Sequence, residues 1–298
     1  MVLHPEEQWL LSEDGAAVPS LIRVWDEAIV SLWNVAAECP EDQWALPTPC
    51  PGWTVSDVIA HTIGLELDFR GDPAPDHEPD WATLPHVSGA LGEYIEVSVD
   101  YRRGRTKSEL LAELDDVIKL RRQDLAQISD DPNEMTPGPA GFLIPRSQML
   151  QTRILDLWIH EQDIRIAVDR PGGLDSDAAF VTAGRLSVGL PRMWGKTLGA
   201  NGDQVLRVEV TGPGVEFTKT IAIGDDGRAH VVSNGHWDTP IGGDPAPGNL
   251  LLQCSFPAYV ALAAGRHGID KFVADGQVLI AGDQGLADRL IPAMAVTP

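Results

Sequence analysis

The stretch Arg153-Ile154-Leu155-Asp156-Leu157-Trp158-Ile159-His160-Glu161-Gln162-Asp163-Ile164-Arg165 constrains this chain more than any other. Wound at about 100° per residue, it is a helix with two unlike sides. Glu161, Gln162 and Arg165 share one side, expected to face water. Arg153, Asp156, His160 and Asp163 fall roughly opposite and face inward, flanked by Leu155, Leu157, Ile159 and Ile164. Buried polar groups need partners, so such a helix demands a matching constellation from elsewhere in the fold. Asp156 and His160 are one helical turn apart, hence neighbours on one face. That spacing suits two ligands of one metal ion. It equally suits an Asp–His pair inside a hydrogen-bond network.

The charge balance narrows the possible partners. With 22 Lys and Arg against 44 Asp and Glu, the net charge is −22 and no basic run occurs. Nucleic acid and anionic membrane surfaces are therefore poor partners. No apolar run approaches the length of a membrane span, and the first residues lack the pattern of a signal peptide. Cys39, Cys50 and Cys254 are too few and too scattered for a disulfide framework, which suits a reducing compartment. The expected location is the cytoplasm.

Taken in order, the chain begins with an acidic, weakly patterned segment over 1–16. Leu21, Trp25, Ile29, Leu32 and Val35 or Ala36 repeat at helical spacing, and Pro40 forbids continuation. A proline-rich loop with Trp44, Cys50 and Trp53 follows. Thr54 is the N-cap of a second helix, with Asp57 completing the first turn; His61 lies one turn further on. Cys50, close to that helix start, is read as a small packing residue. Residues 71–89 form a long loop, a short helix covers 89–102, and a third main helix runs from about Thr106 to Ile128 with a Thr106/Glu109 capping box. Residues 130–145 form a second long loop, and the fourth main helix is the stretch described above. In such bundles metal ligands project inward from facing helices, and His61, Asp156 and His160 fit that plan.

Asp169-Arg170-Pro171-Gly172-Gly173 is a turn and the expected boundary between a first domain, 1–170, and a second, 171–298. One helix is expected from about Ser176 to Trp194. Thereafter the period changes to two over Val205–Val210 and Phe217–Ile223, with Asp225-Asp226-Gly227 as a hairpin turn and Ala229–Val232 as the return strand. Further strands are expected over Leu250–Cys254 and Gln277–Gly282, with helices over Phe256–Gly265 and Gln284–Met294. The second half is α+β.

Two of these segments together carry a resemblance. Thr48-Pro49-Cys50-Pro51-Gly52-Trp53-Thr54-Val55-Ser56-Asp57-Val58-Ile59-Ala60-His61, with the Arg153–Ile164 stretch, resembles the mycothiol-dependent maleylpyruvate isomerase family. That family is a branch of the DinB/YfiT-like metal-binding four-helix bundles. Gly265-Arg266 and Gly282-Asp283-Gln284-Gly285-Leu286-Ala287 resemble the end of its sterol-carrier-like C-terminal domain. The implied fold is an N-terminal all-α DinB-like four-helix bundle followed by a C-terminal α+β sterol-carrier-like domain. The implied metal ligands are His61, Asp156 and His160. Family members often carry Glu where this chain has Asp156, one methylene shorter.

Two histidines and one carboxylate leave coordination positions open, as catalytic sites do; zinc fits these ligands best among divalent metals. The resemblance implies mycothiol as an external low-molecular-weight thiol and a small electrophile as the second partner. Addition of the thiolate to a maleylpyruvate-like double bond, rotation and elimination give an isomer; addition to a xenobiotic leaves a thioether. Arg153 or Arg266 is the candidate catalytic group for a substrate carboxylate, although Arg153 also suits pairing with Asp156. Asp163 is a candidate to orient His160, or equally a surface ion-pair member. Two rival readings stand beside this one: a metal-dependent hydrolase on the same bundle, and a non-enzymatic metal- or lipid-binding protein. The expected assembly is a monomer or homodimer.

Overall fold

A computed structural model describes residues 17–138, 141–232, 245–266 and 269–295. The chain divides into two compact units between Gly173 and Leu174. The first is helical, with α1 (Val18–Glu38), α2 (Val55–Arg70), α3 (Gly89–Asp100), α4 (Lys107–Leu125) and α5 (Arg146–Ala167). The residues that repeat along α1, from Leu21 through Trp25, Ile29 and Leu32 to Ala36, are all buried. Cys39 turns to extended geometry, as a residue ahead of a proline must. α1 packs along α5, and α2 packs against α3, α4 and α5. The four long helices α1, α2, α4 and α5 are the four-helix bundle that the sequence pattern implies. No helix among the described residues is long and apolar enough to cross a membrane.

The start of α2 fixes the height at which its side chains enter the core. Thr54 accepts from the Asp57 N–H, and the Asp57 carboxylate accepts from the Thr54 N–H at 2.9 Å, a reciprocal capping box. Asp57 also holds Arg103 at 3.0 Å, so the cap is tied to the end of α3. Gly71, in the left-handed region at φ 82°, stops the helix. Thr54→Ala is expected to cost about 1 kcal/mol, read as a lowered urea midpoint with unchanged slope.

Two segments differ from their expected form. Only an irregular loop is expected over 130–145, yet Met135–Pro137 (β1) and Leu143–Pro145 (β2) pair as an antiparallel ribbon. Its two prolines sit at strand ends, where the missing N–H costs little, and they hide the ribbon from a pattern reading. The helix expected from Ser176 to Trp194 is interrupted. α6 (Asp177–Ser187) ends, and a short α7 (Leu190–Arg192) leads into a π turn, Met193–Thr197. Pro191 has no N–H for the carbonyl of Ser187, so the helix cannot run through.

The second unit carries a five-stranded sheet built from β3 (Val205–Thr211), β4 (Phe217–Ile223), β5 (Ala229–Val232), β6 (Leu250–Ser255) and β7 (Val278–Gly282), in the order β5-β4-β3-β6-β7. β3 and β6 are parallel; the other neighbours are antiparallel. Alternation along β3 buries Leu206, Val208 and Val210, while Arg207 and Glu209 pair on the other face. The sheet's helices are α8 (Phe256–Ala263), α9 (Ile269–Ala274) and α10 (Gln284–Met294). α8 is apolar nearly all round and packs on β3, β6 and α10. This helical bundle followed by a sheet-containing α+β unit is the expected fold class.

Candidate metal centre

The site forms where α2 faces α5. His61 enters from the second turn of α2, and Asp156 and His160 come from adjacent turns of α5. His61 Nε2 lies 3.3 Å from both Asp156 carboxylate oxygens, and His160 Nε2 lies 3.5 Å from the nearer one. One ligand atom from each of the three falls within 4.8 Å of the others. His61 and His160 are buried at 3% and 5% exposure, whereas the Asp156 side chain keeps 25%. Asp156 is thus the member that solvent reaches.

Loop 47–54 closes the site. Thr48 N–H donates to the Trp53 carbonyl at 2.9 Å, and Trp53 N–H returns to Cys50 at 3.2 Å. Gly52 turns the chain at φ 78°, and a Cβ there would meet the His86 ring at 2.2 Å, so the close approach requires glycine. The turn lays the Trp53 indole over both imidazoles, at ring-centre distances of 4.7 Å to His61 and 5.5 Å to His160. The indole N–H is taken by buried Glu96 at 3.0 Å. In the sequence Trp53 is only one residue of a proline-rich loop, because its contact with His160 is distant along the chain.

Behind His160, Asp163 is buried and accepts from Nδ1 at 3.0 Å. It is no surface residue. With the Nδ1 proton committed there, the Nε2 lone pair is left available for a second proton or a cation. Burial opposes charge on this ring, but Asp156 and Asp163 outweigh it and raise the His160 pKa above its usual 6.5. Burial wins at His61, whose pKa falls to about 4 despite Asp156. Asp156 is held well below the usual carboxylate range: burial opposes its charge, but both histidines and Arg153 prevail. Cys50, half-buried, forms a second close group with His160 and Asp163, all within 4.8 Å.

These residues fit a metal. Bonds of about 2.0–2.1 Å to tetrahedral zinc put neighbouring ligand atoms about 3.3–3.4 Å apart; the 3.3 and 3.5 Å separations match that edge better than a good hydrogen bond. The carboxylate behind His160 is the usual support of a metal-binding imidazole. Arg153, 1% exposed, turns inward: Nε donates to Glu66 at 2.7 Å, and Nη1 bonds Asp156 Oδ2. Glu66 is itself fully buried and also accepts from the Trp25 indole at 3.0 Å. Arg266 lies in the α+β unit, where it donates to the Ala264 carbonyl at 2.9 Å. Glu161 departs from its expected water-facing position. It is 2% exposed, accepts from Ser31 and Arg165, and has its pKa raised by burial because α1 covers that side of α5.

Residues 25–165 match the mycothiol maleylpyruvate isomerase N-terminal domain. The match lies within the helical unit. It includes every candidate ligand. Two uncharacterized proteins of Mycobacterium tuberculosis, MT0041 of strain CDC 1551 / Oshkosh and Rv0036c of strain H37Rv, are each 25% identical over 135 residues. That match covers 45% of this chain and spans about half, 51%, of each relative's length. The crystal structure of the mycothiol-dependent maleylpyruvate isomerase aligns over 88% of this chain and 92% of its own, with a TM-score of 0.53 at 15% identity. A point mutant of that enzyme aligns equally well at 14% identity. The likeness extends through both units and is one of fold.

Proposed function

We propose that this protein is a metal- and mycothiol-dependent enzyme that adds the thiol to small electrophiles, isomerising a maleylpyruvate-like substrate or leaving a thioether on a xenobiotic. The observation that carries the reading is the convergence of His61, Asp156 and His160 in a domain of this family, with Asp163 supporting His160. His61, Asp156 and His160 would hold one divalent cation, zinc by donor type. When bound, such a cation lowers the pKa of a presented thiol and so supplies a nucleophile at neutral pH.

The chain's own groups do the positioning. Asp163 keeps the Nδ1 proton of His160 and aims Nε2 at the site. Arg153 fixes one oxygen of Asp156 and leaves the other to the ion. Trp53 shields the two imidazoles. Arg266 is the candidate for the substrate carboxylate, so Arg266→Ala should raise KM for a carboxylate substrate with metal content unchanged. Thiol-dependent turnover of an electrophile, beside elemental analysis, tests the whole reading; hydrolysis indifferent to thiol would overturn it.

A substitution series at Asp156 tests the ligand set. Asp156→Glu is expected to keep the metal. Asp156→Asn should weaken it, since a neutral amide gives up the attraction to the cation. Asp156→Leu should lose it yet still fold, because Glu66 continues to hold Arg153. Melting curves with and without chelator decide the matter. A chelator-insensitive wild type, with Asp156→Leu strongly destabilised, would make Asp156 a salt-bridge partner only.

A further inference from the structure

The two histidines of the site are held in unlike ways. His160 donates from Nδ1 to buried Asp163 at 3.0 Å. His61 has no such support: its Nδ1 finds no hydrogen-bond partner among the described residues. An imidazole that binds a metal through one nitrogen is ordinarily oriented by a bond to the other. At His61 ring packing stands in that place. The Trp53 indole lies 4.7 Å from its ring centre at an angle of 43°, and the His160 ring meets it edge-on, also at 4.7 Å. The rotamer of Trp53 therefore bears directly on the orientation of His61.

What fixes that rotamer comes from α3. The turn over 47–54 sets where the Trp53 side chain starts, but its side-chain torsions need an anchor of their own. The indole N–H donates to Glu96 Oε2 at 3.0 Å. Glu96 is 1% exposed. Its other oxygen accepts from Arg103, which also holds Asp57 at 3.0 Å and Asp100 at 2.7 Å. Asp57 caps α2, the helix that carries His61. His86 approaches Glu96 Oε2 at 3.4 Å and lies against Gly52 of the same loop. One carboxylate thus gathers the loop, the start of α2 and α3 around the indole. A charged acceptor holds an N–H more firmly than a neutral one. Stability alone does not account for burying it, since a buried ion pair is often no more stabilising than apolar residues of similar size.

We propose that Glu96 is a positioning residue for the metal centre. It holds Trp53, and Trp53 holds the His61 ring, so Glu96 does for His61 through an indole what Asp163 does for His160 directly. The proposal rests on the ligand set His61, Asp156 and His160. It adds to that set a residue that hydrogen-bonds to none of the three.

Zinc affinity, measured by competition with a chromophoric chelator and set beside urea unfolding, tests the proposal. Glu96→Leu is expected to raise the zinc Kd roughly 10–100-fold, the loss typical of an outer partner. Trp53→Phe keeps an aromatic ring without the N–H, leaves Glu96 paired with Arg103, and should lose a similar factor. The double variant should bind no worse than the weaker single, because both substitutions remove one link. Glu96→Gln keeps an oxygen for the indole and should stay within about threefold of wild type. In the metal-free protein, the imidazole NMR signals of His61 should shift and broaden in Glu96→Leu but not in Glu96→Gln, with His160 less affected. A role in folding alone would lower the urea midpoints and leave the zinc Kd unchanged, and that result overturns the proposal. So do losses that add in the double variant, or a Glu96→Gln as weak as Glu96→Leu. Should Glu96→Leu not fold, Trp53→Phe decides, and an unchanged Kd there is equally fatal. Zinc binding by wild type beside unaffected variants removes only Glu96 from the account. A wild type that binds no zinc removes the ligand set itself, and the proposal with it.

Discussion

His160→Ala is expected to strip the bound metal, with the apparent Kd raised by more than the roughly 10–100-fold that loss of an outer partner costs. Asp163→Asn supplies that smaller comparison, since it leaves all three ligands and removes only the group that orients one. Proton competition gives the same residue a pH signature. A metal must displace the proton that Asp156 and Asp163 hold on His160, whose pKa lies above 6.5. Affinity should therefore fall about tenfold per pH unit below that raised pKa. His61, already neutral down to about pH 4, adds a second proton only near there. The metal-free protein runs the other way. A folded pKa above the unfolded one contributes stability below pH 6.5 that is lost as pH rises through the folded pKa. Added metal should stabilise most where the apo protein has lost that contribution. Competition titrations with a chromophoric chelator, from pH 5 to 8, check the slope; equal metal content in His160→Ala and wild type would remove the site.

The parts of this arrangement that one helix can display were legible in the sequence. The inward stripe of Arg153, Asp156, His160 and Asp163 follows from a single period, and the Thr54 cap sets the start of α2. What the period missed is equally physical. It assigns one wet and one dry side, but α5 is covered on several sides, so Glu161 is buried against α1 where a two-sided helix would leave it wet. Glu66 gave no signal at all. A glutamate on a helix reads as solvated until a partner is found, and its partners are 41 and 87 residues away in sequence. The packing of Trp53 on His160, far away along the chain, was hidden for the same reason. The β1–β2 ribbon and the break before Pro191 show the complementary limit, where prolines punctuate elements in ways that only the hydrogen-bond pattern resolves.

Glu66 is where the largest loss of stability is expected. Its carboxylate, fully buried, accepts from Arg153 Nε at 2.7 Å and Trp25 Nε1 at 3.0 Å, and Arg121 Nε lies 3.2 Å from its second oxygen. Both arginines are buried, at 1% and 5% exposure. Glu66→Leu therefore strands two guanidinium groups, and breaking a buried pair typically costs about 3–5 kcal/mol. Arg153 keeps Asp156, but Arg121 is left with weaker partners, a 3.4 Å contact with the Phe69 carbonyl, the Phe69 ring at 5.7 Å and the more distant Asp124; burial already lowers its pKa despite Glu66. Glu66→Gln should cost less, because the amide oxygen still accepts from Trp25 and Arg153 while the charge is gone. The double variant Glu66→Leu with Arg121→Met removes one stranded charge along with its partner, and should recover part of the loss. Urea unfolding of the four proteins reads this directly. Single variants within 1 kcal/mol of wild type would mean that the network is solvated in solution. Metal binding measured in the surviving folded fraction separates the roles further: the second oxygen of Asp156 does not depend on Glu66, so Glu66→Gln should retain its metal even as the bundle beneath it weakens.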